Sequence, residues 1–447
     1  MKRDILREFN AALRDRSLDS AKPEDLDLYV RGLHPQSDGC DLIKQLAAQI
    51  DWDEGSGTYL FTGSPGSGKT TELYRLRADL LDRNMDVFFV DIGERLHTDS
   101  PVDITTFLLA MMDGLGEEIR KLKGANVTTR SYMERLQKFL QSDVKIEGME
   151  LSAETGLPGD SAKFTAGLKL ALHQDPDFKQ RLQVQAKNYV SRFVSDARQF
   201  VRESLDAVAN ANNGKCRKTV LIVDSAEKFR GIGDQASVVY GSVHDLFARH
   251  AESLRFSGLH IVYTIPQYLM AAGGNIASLY TGGTVYALAS THLYARRSRT
   301  VEQAGLDRMV EIVTRRFPEC CELIDTSLLE DIARISGGDI RDYLRILRLC
   351  LAKAQQTVPQ PYHSRVTREL ADGAIAMARR DMLPIAEEDR SWLKRIASTH
   401  EACLQKIEEL PTFGRFCDHK MVLNYRNGDD WYDVHPLLWD VVGKEAT

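Results

Sequence analysis

Residues 63–70, GSPGSGKT, constrain the fold of this chain more than any other feature. They match the phosphate-binding P-loop pattern, whose glycines let consecutive backbone N–H groups point at phosphate oxygens. The apolar run at 59–61 predicts a short buried strand before the loop, and leucines at helical spacing in 71–82 predict a helix after it. Strand, loop and helix in this order predict nucleotide binding, to which the helix N-terminus adds partial positive charge.

Two side chains of this loop carry the expected chemistry. Lys69 would contact the β- and γ-phosphates, and the hydroxyl of Thr70 would ligate Mg²⁺. We therefore predict ATP or ADP with Mg²⁺ as the cofactors. The loop residues predicted to hold them are Gly63, Ser64, Pro65, Gly66, Ser67, Gly68, Lys69 and Thr70.

Composition predicts a folded protein without a membrane segment. The 447 residues are 43% hydrophobic and 27% charged, and the net charge of −6 argues against bulk binding of a polyanion. Apolar runs stay shorter than the roughly 18 residues of a membrane span, and the charged start MKRDILREFNAALRDR does not resemble a secretory signal. Seven cysteines without zinc spacing are typical of a reducing compartment, so we expect a cytoplasmic protein.

Alternating strand and helix patterns predict an α/β fold of the P-loop class. Further buried strands are predicted at 87–91, 219–224, 259–264 and 284–289, with helices between them. This alternation predicts a three-layer αβα unit around a parallel sheet, with phosphate bound at the carboxyl ends of the strands.

Four regions are predicted along the chain. Residues 1–50 are N-terminal helices, 51–295 are the ATPase core, 300–380 are a helical lid, and 385–447 are a winged-helix-like domain. In the last region, helices are predicted at 387–396 and 401–407, before a hairpin that turns at Asn427-Gly428. The insertion at about 124–215 is interpreted as a partner or oligomer surface.

Two acidic residues, one at the end of the strand at 219–224 and one just after it, are candidates for catalysis. Asp224 ends that strand, where a carboxylate can orient Mg²⁺, although it could also be a helix cap. Ser225 occupies the position where many such ATPases carry a catalytic acid. Glu227 is the next acid, and we predict it as the catalytic base, with a solvated surface charge as the alternative.

Two further residues are predicted to reach phosphate. Thr264 ends the strand beside that of Asp224, so its hydroxyl could contact the γ-phosphate or serve only as a cap. Arg341, in SGGDIR, lies in the first turn of a lid helix, where its guanidinium could cross the cleft onto phosphate or form a surface ion pair.

These motifs resemble those of the AAA+ superfamily, and within it the STAND class of signal-transducing ATPases. The resemblance rests on GSPGSGKT, TVLIVDSAEK, SGGDIRDYLRIL and the closing winged helix. It implies that Thr71 joins the phosphate-binding residues, that Asp224 serves the metal, and that Arg341 is the second nucleotide sensor. It also implies that Tyr29 and Val30 close over adenine.

One histidine extends this resemblance, and several differences from the family pattern limit it. In NB-ARC-type members a winged-helix histidine holds ADP, and VHPLL places His435 in a similar position, with Pro436 replacing the usual acid. Ser225, and the lack of an arginine in the short helix between Thr264 and Thr284, put ring-type hydrolysis in doubt.

The sequence leaves three functional interpretations open. The first is a slowly hydrolysing ATPase switch that controls an effector or regulatory protein and assembles into an oligomer, by analogy in anti-phage defence. The second is a DNA-engaging initiator-like ATPase using the winged helix and the arginine cluster at 296–299, although the acidic wing tip matches nucleic acid poorly. The third is a scaffold with purely structural nucleotide.

Overall fold

The computed structural model describes residues 4–34, 39–122, 182, 189–231, 233–272, 276–357 and 365–443. Within them a five-stranded parallel sheet has the order β2-β3-β4-β1-β5. Its strands are β1 (Thr58–Gly63), β2 (Asp86–Asp91), β3 (Thr219–Asp224), β4 (Leu259–Ile265) and β5 (Val285–Leu288). The sheet confirms the predicted parallel α/β fold and places β4 between the P-loop strand and the strand of Asp224.

Helices cover both faces of this sheet. The N-terminal and core helices are α1 (Ile5–Ala12), α2 (Pro23–Leu26), α3 (Leu42–Trp52), α4 (Lys69–Asp82), α5 (Ile104–Arg120), α6 (Val190–Ala211) and α7 (Ala236–Ala248). In β1, Tyr59 and Phe61 pack with α3 and α4, whereas Leu60 points to the opposite face. Since strand side chains alternate, each strand contributes to both apolar layers, and this produces the three-layer arrangement.

Helix α5 begins with a reciprocal cap. The carboxylate of Asp103 accepts hydrogen bonds from the backbone N–H groups of Thr105, at 2.7 Å, and Thr106, at 3.1 Å. The hydroxyl of Thr106 accepts the N–H of Asp103 in return, at 3.4 Å. These bonds satisfy donors that would otherwise have no partner at the start of a buried helix.

Loss of this cap gives a first testable prediction. We expect Asp103→Ala to lower the free energy of unfolding by about 1 kcal/mol, because the first-turn N–H groups lose their acceptor. Urea denaturation followed by circular dichroism measures this change. Asp82→Ala, which removes an exposed carboxylate at the last residue of α4, is the matched control. Equal stability of the two variants would contradict the role of the cap.

The lid is helical and carries the N-terminal helix on its surface. Its helices are α8 (Gln303–Arg316), α9 (Cys320–Leu323), α10 (Thr326–Ser336), α11 (Ile340–Thr357) and α12 (Arg368–Arg380). Phe9 of α1 stacks on Phe317 with ring centroids 4.8 Å apart. Apolar residues of α1 and the lid therefore form one buried cluster.

A winged-helix unit closes the described chain. It contains α13 (Glu387–Thr399), α14 (Leu410–Asp418), the antiparallel hairpin β6 (Val422–Asn427) and β7 (Asp429–Val434), and α15 (Trp439–Val442). Gly428 sits at the hairpin tip with φ of 107°, a conformation that glycine adopts without steric cost. The hairpin predicted at Asn427-Gly428 is confirmed.

The helix predicted at 401–407 is wrong. His400 ends α13 in the left-handed conformation, with φ of 59°, and Cys403 is also left-handed, with φ of 57°. Two such residues interrupt a right-handed helix, so the chain next becomes α-helical at Leu410. Pro411 lies in the first turn of α14, where the missing N–H needs no partner.

Helix α14 packs against the ATPase core. A Cβ atom added to Gly414 would lie 2.9 Å from the ring of Tyr240 and 3.1 Å from that of Tyr268, so the helix backbone approaches both rings closely. These rings belong to α7 and to the 3₁₀ turn Gln267–Met270 that follows β4. The helix directly before the wing is therefore buried between the winged-helix unit and the core.

Most of the insertion predicted at 124–215 lies outside the described residues. Its last part is α6, which packs against α5 through Phe193, Ala197 and Phe200.

Across the described helices, none combines the length and the apolar character required to cross a membrane.

Candidate functional site

The P-loop connects β1 to α4 through two left-handed glycines. Gly66 and Gly68 both have φ of 92°, a conformation that side-chain-bearing residues rarely adopt. The ammonium of Lys69, 6% exposed, donates to the carbonyl oxygens of Gly63 at 2.9 Å and Ser64 at 3.1 Å. Backbone N–H groups and this buried cation together form a cradle suited to phosphate.

A hydroxyl and a carboxylate meet at the end of this cradle. Thr70, in the first turn of α4, donates to Asp224 Oδ2 at 2.9 Å. Burial and the neighbouring Glu227 raise the pKa of Asp224 to about 7. Two buried carboxylates beside a hydroxyl make a site that a divalent cation would stabilise, so Thr70 and Asp224 fit Mg²⁺.

Glu227 reaches the cradle because the chain turns sharply after β3. Ser225 is left-handed, with φ of 71°, and is followed by the 3₁₀ turn Ala226–Lys228. This turn places Glu227 Oε1 3.5 Å from Lys69 Nζ, with both side chains buried. Burial acts to raise the pKa of Glu227, but the charge of Lys69 and the hydrogen bond with Thr264 outweigh it, so the pKa is lowered. A buried, ionised carboxylate beside Lys69 has the chemistry of a general base.

Thr264 supports this turn from β4. Its hydroxyl donates to the carbonyl of Val223 at 3.3 Å and accepts the N–H of Ala226 at 3.1 Å. The strand that carries it pairs with β3, as expected from the sequence. Thr264 is fully buried and lies beneath the turn rather than among the residues that line the cleft.

The cleft beside the P-loop has an apolar half suited to a nucleobase. Tyr29 and Val30 contribute to its wall, and the Tyr29 hydroxyl donates to Glu72 Oε1 at 2.7 Å. His34 lies against Ala289 O at 2.6 Å, and burial lowers its pKa to about 4. Other apolar residues that line the cleft include Leu18, Leu28, Leu33, Ile312, Ile340 and Leu344.

Residues 15–18, here called the strap, line the same cleft and connect the core to the lid. The N–H of Leu18 donates to the hydroxyl of Thr71 at 3.0 Å, which joins the strap to α4. At its other end the carboxylate of Asp15 accepts a hydrogen bond from Arg341 Nε. Arg341 therefore lines the cleft with its guanidinium held by the strap, and about half of its side chain is exposed.

His435 lies at the contact between the winged-helix unit and helix α11 of the lid. Its ring is fully buried, and Nδ1 accepts the N–H of Leu437 at 3.2 Å. Its Nε2 lies 3.5 Å from Asp342 Oδ2, so the residue joins the winged-helix unit to α11 of the lid. The structure does not bring His435 together with the residues that line the cleft.

Several cleft residues were missed by sequence reasoning. The strap, His34 and Arg316 carry no local motif, because they reach the cleft only through tertiary packing. For Leu344 the sequence offered a weak indication, since it lies one helical turn after the candidate residue Arg341 and therefore on the same face of α11. Arg230 also lines the cleft, three residues beyond Glu227.

Comparisons with known proteins add no family assignment. No family model matches the chain, and no curated protein matches it. Solved structures that match include the Aeropyrum pernix Orc1 protein in complex with DNA, at 13% identity and a TM-score of 0.38, covering 93% of this chain and 96% of that one.

Two further solved structures are similar at the same level. A Walker-type ATPase of Pyrococcus abyssi has 13% identity and a TM-score of 0.42, with 94% of this chain and 100% of that one covered. The Aeropyrum pernix Orc2 protein, in ADPNP and ADP complexes, has 11% identity and a TM-score of 0.35, with 93% and 96% covered. At these TM-scores the similarity carries no argument, so the sheet order and the P-loop geometry define the fold.

Proposed function

We propose that this protein is an ATP-binding, slowly hydrolysing switch of the AAA+ and STAND-like type. Lys69 would hold the β- and γ-phosphates, Thr70 and Asp224 would hold Mg²⁺, and Glu227 would accept the proton of the attacking water. When bound, Mg²⁺ would neutralise phosphate charge and orient the terminal phosphoryl group. The apolar wall around Val30 would hold the base.

One observation carries the proposal of a switch. A Cβ atom added to Gly66, at the tip of the P-loop, would lie 2.7 Å from Cβ of Arg341 in the lid. The same atom would lie 3.1 Å from Nζ of Lys420 in the winged-helix unit. The loop expected to hold phosphate is thus in direct contact with both units. Binding or loss of a phosphate at this loop would therefore act on both units.

Ion pairs connect these units, and the charged side chains in such pairs can exchange partners. Lys420 Nζ lies 2.7 Å from Asp339 Oδ1, and both side chains are buried. Arg299 forms two hydrogen bonds with Asp433 of the winged-helix unit, at 2.7 and 2.8 Å. Shifting a two-state equilibrium from 1:99 to 99:1 requires about 5.5 kcal/mol of differential binding. A γ-phosphate contacted by Lys69, Mg²⁺ and an arginine would supply that difference.

A test of the switch compares two nucleotides on one protein. We expect the purified chain to retain ADP, and its winged-helix unit to exchange backbone hydrogens more slowly with ADP than with a non-hydrolysable ATP analogue. Hydrogen exchange with mass spectrometry would follow α14 and the hairpin β6–β7, with β3 and β4 as internal controls. Identical exchange with both nucleotides, each shown to be bound, would contradict the proposal.

The output of the switch is proposed to be contact with an effector or regulatory protein, and self-association is part of the same proposal. Anti-phage defence is the setting suggested by analogy with compact STAND-like ATPases. Genes encoded beside this one, such as a nuclease or protease, would test that setting directly.

The DNA-engaging interpretation has less support from the described residues. The helix before the wing, α14, packs against Tyr240 and Tyr268 of the core and is not free to enter a DNA groove in this arrangement. On the wing, Arg426 pairs with Asp430 through two hydrogen bonds of 2.7 Å. A DNA-binding isotherm with steep salt dependence would favour this interpretation over a switch that acts on proteins.

A further inference from the structure

The segment that carries Glu227 continues from the cleft to the winged-helix unit. Arg230 lines the cleft, and its backbone N–H donates to the carbonyl of Thr98 at 2.9 Å, which fixes the main chain. Its Nε lies 4.0 Å from Asp418 Oδ1, at the end of α14. No described group accepts a hydrogen bond from this buried Nε, so the guanidinium is held there weakly.

Asp418 is firmly placed on the other side of this contact. Its side chain is 7% exposed, and Oδ2 accepts the hydroxyl of Tyr240 at 2.7 Å. Burial raises its pKa to about 6; Tyr240, Arg230 and Lys69 oppose this, and Glu227 reinforces it. The carboxylate at the end of α14 therefore lies within the electrostatic field of the P-loop lysine and the candidate base.

We propose that Arg230 binds the terminal phosphate of a nucleoside triphosphate, and that Asp418 holds Arg230 when that phosphate is absent. This inference rests on the proposed nucleotide switch and names the residues through which the winged-helix unit responds to the γ-phosphate. Arg230 is a phosphate-contacting residue, whereas Asp418 is a positioning residue.

Charge and geometry explain why the two partners compete. A guanidinium binds phosphate oxygens with paired N–H donors at less than 3 Å, whereas its Nε and Asp418 are 4.0 Å apart. A terminal phosphate also presents more negative charge to the guanidinium than the single carboxylate of Asp418 does, so it is the stronger partner. Arg230 would therefore leave Asp418 for the phosphate, and the uncompensated carboxylate would weaken the packing of α14 against Tyr240.

The test measures discrimination between two nucleotides by isothermal titration calorimetry with Mg²⁺. Loss of a charged hydrogen bond at a half-exposed site corresponds to roughly a tenfold change in affinity. We expect Arg230→Ala to weaken binding of the ATP analogue ADPNP by about that factor while changing ADP affinity less than roughly twofold. We expect Asp418→Asn to strengthen ADPNP binding several-fold, since the amide no longer competes for the guanidinium.

The double variant makes the test specific to this pair. If Asp418 acts through Arg230, adding Asp418→Asn to Arg230→Ala should leave ADPNP affinity unchanged. Asp389→Asn is the matched control, because it makes the same carboxylate-to-amide change in the winged-helix unit. Asp389 pairs there with Arg415 at 2.7 Å, and it does not line the nucleotide cleft.

The outcomes separate this inference from the proposed function. An unchanged ratio of ADPNP to ADP affinity in Arg230→Ala, or equal effects of Asp418→Asn with and without Arg230, would overturn the assignment. A wild-type chain that binds neither nucleotide would overturn the proposed function itself. Arg230→Lys keeps the charge without the paired donors, so an intermediate ADPNP affinity in a variant with wild-type melting behaviour would support direct phosphate contact.

Discussion

Replacing Lys69 by alanine is expected to lower affinity for ADP and for ATP by about 100-fold or more. The ammonium is buried and already donates to two P-loop carbonyls, so it is fixed where a phosphate would arrive. Hydrogen bonds to charged groups contribute about 1.5–3 kcal/mol each, and about 1.4 kcal/mol corresponds to a tenfold change in affinity. The variant loses phosphate contacts and also leaves Glu227 without its neighbouring cation.

The measurement is a titration with a fluorescent ADP analogue, paired with thermal melting to confirm that the variant is folded. Lys228→Ala is the matched control, because Lys228 also lines the cleft but is about half exposed and lies 3.9 Å from Asp91 Oδ2. We expect its affinity to stay within roughly threefold of wild type, as is typical of a weak surface pair. Undiminished binding by a folded Lys69→Ala variant would refute the site.

The core could be predicted from sequence because its signals are local. The turn residues in GSPGSGKT, the apolar run ending at Asp224 and the cap at Asp103 each specify structure within a few neighbouring positions. These signals predicted the parallel sheet and the positions of its strands. Lys69 in the cradle, and the Thr70 and Asp224 side chains that are hydrogen-bonded at its end, were predicted from the same pattern.

The surroundings of the cleft could not be predicted in this way because they depend on distant packing. Arg341 was expected to reach phosphate, yet its partner in the structure is Asp15, far away along the chain. His435 was expected at the nucleotide, and its partner in the structure is Asp342 of the lid. Neither Asp15 nor Asp342 belongs to a motif or a periodic pattern that marks it as a partner. The sequence therefore indicated Arg341 and His435 as candidates but not the residues that they contact.

The helix predicted at 401–407 failed for a local reason. Non-glycine residues in the left-handed conformation, here His400 and Cys403, are uncommon and have no reliable sequence mark. The position of α14 matters for the proposed switch, because this helix carries Asp418 to within 4.0 Å of Arg230, which lines the cleft. Because no helix was predicted at Leu410–Asp418, the contact between the winged-helix unit and Arg230 was not foreseen.

Replacing Glu227 by glutamine is expected to abolish most phosphate release while leaving nucleotide binding nearly intact. General base catalysis contributes about 10²- to 10⁴-fold, so we expect turnover to fall at least about 100-fold. Glutamine keeps the shape and the hydrogen-bonding capacity of the side chain but cannot accept a proton from water. It also removes the negative charge that raises the pKa of Asp224, so the magnesium site should not weaken.

The result distinguishes a catalytic base from a simple partner for Lys69. If Glu227 only neutralises the lysine, the substitution should change ATP affinity, because a freer ammonium holds phosphate more strongly, and turnover should persist. Steady-state phosphate release at saturating ATP separates the two effects. Glu94→Gln is the matched control, since Glu94 follows β2 at the same edge of the sheet and is 68% exposed. Equal phosphate release by wild type and Glu227→Gln would show that Glu227 is not the catalytic base. Phosphate release by neither protein would favour a scaffold in which the nucleotide is purely structural.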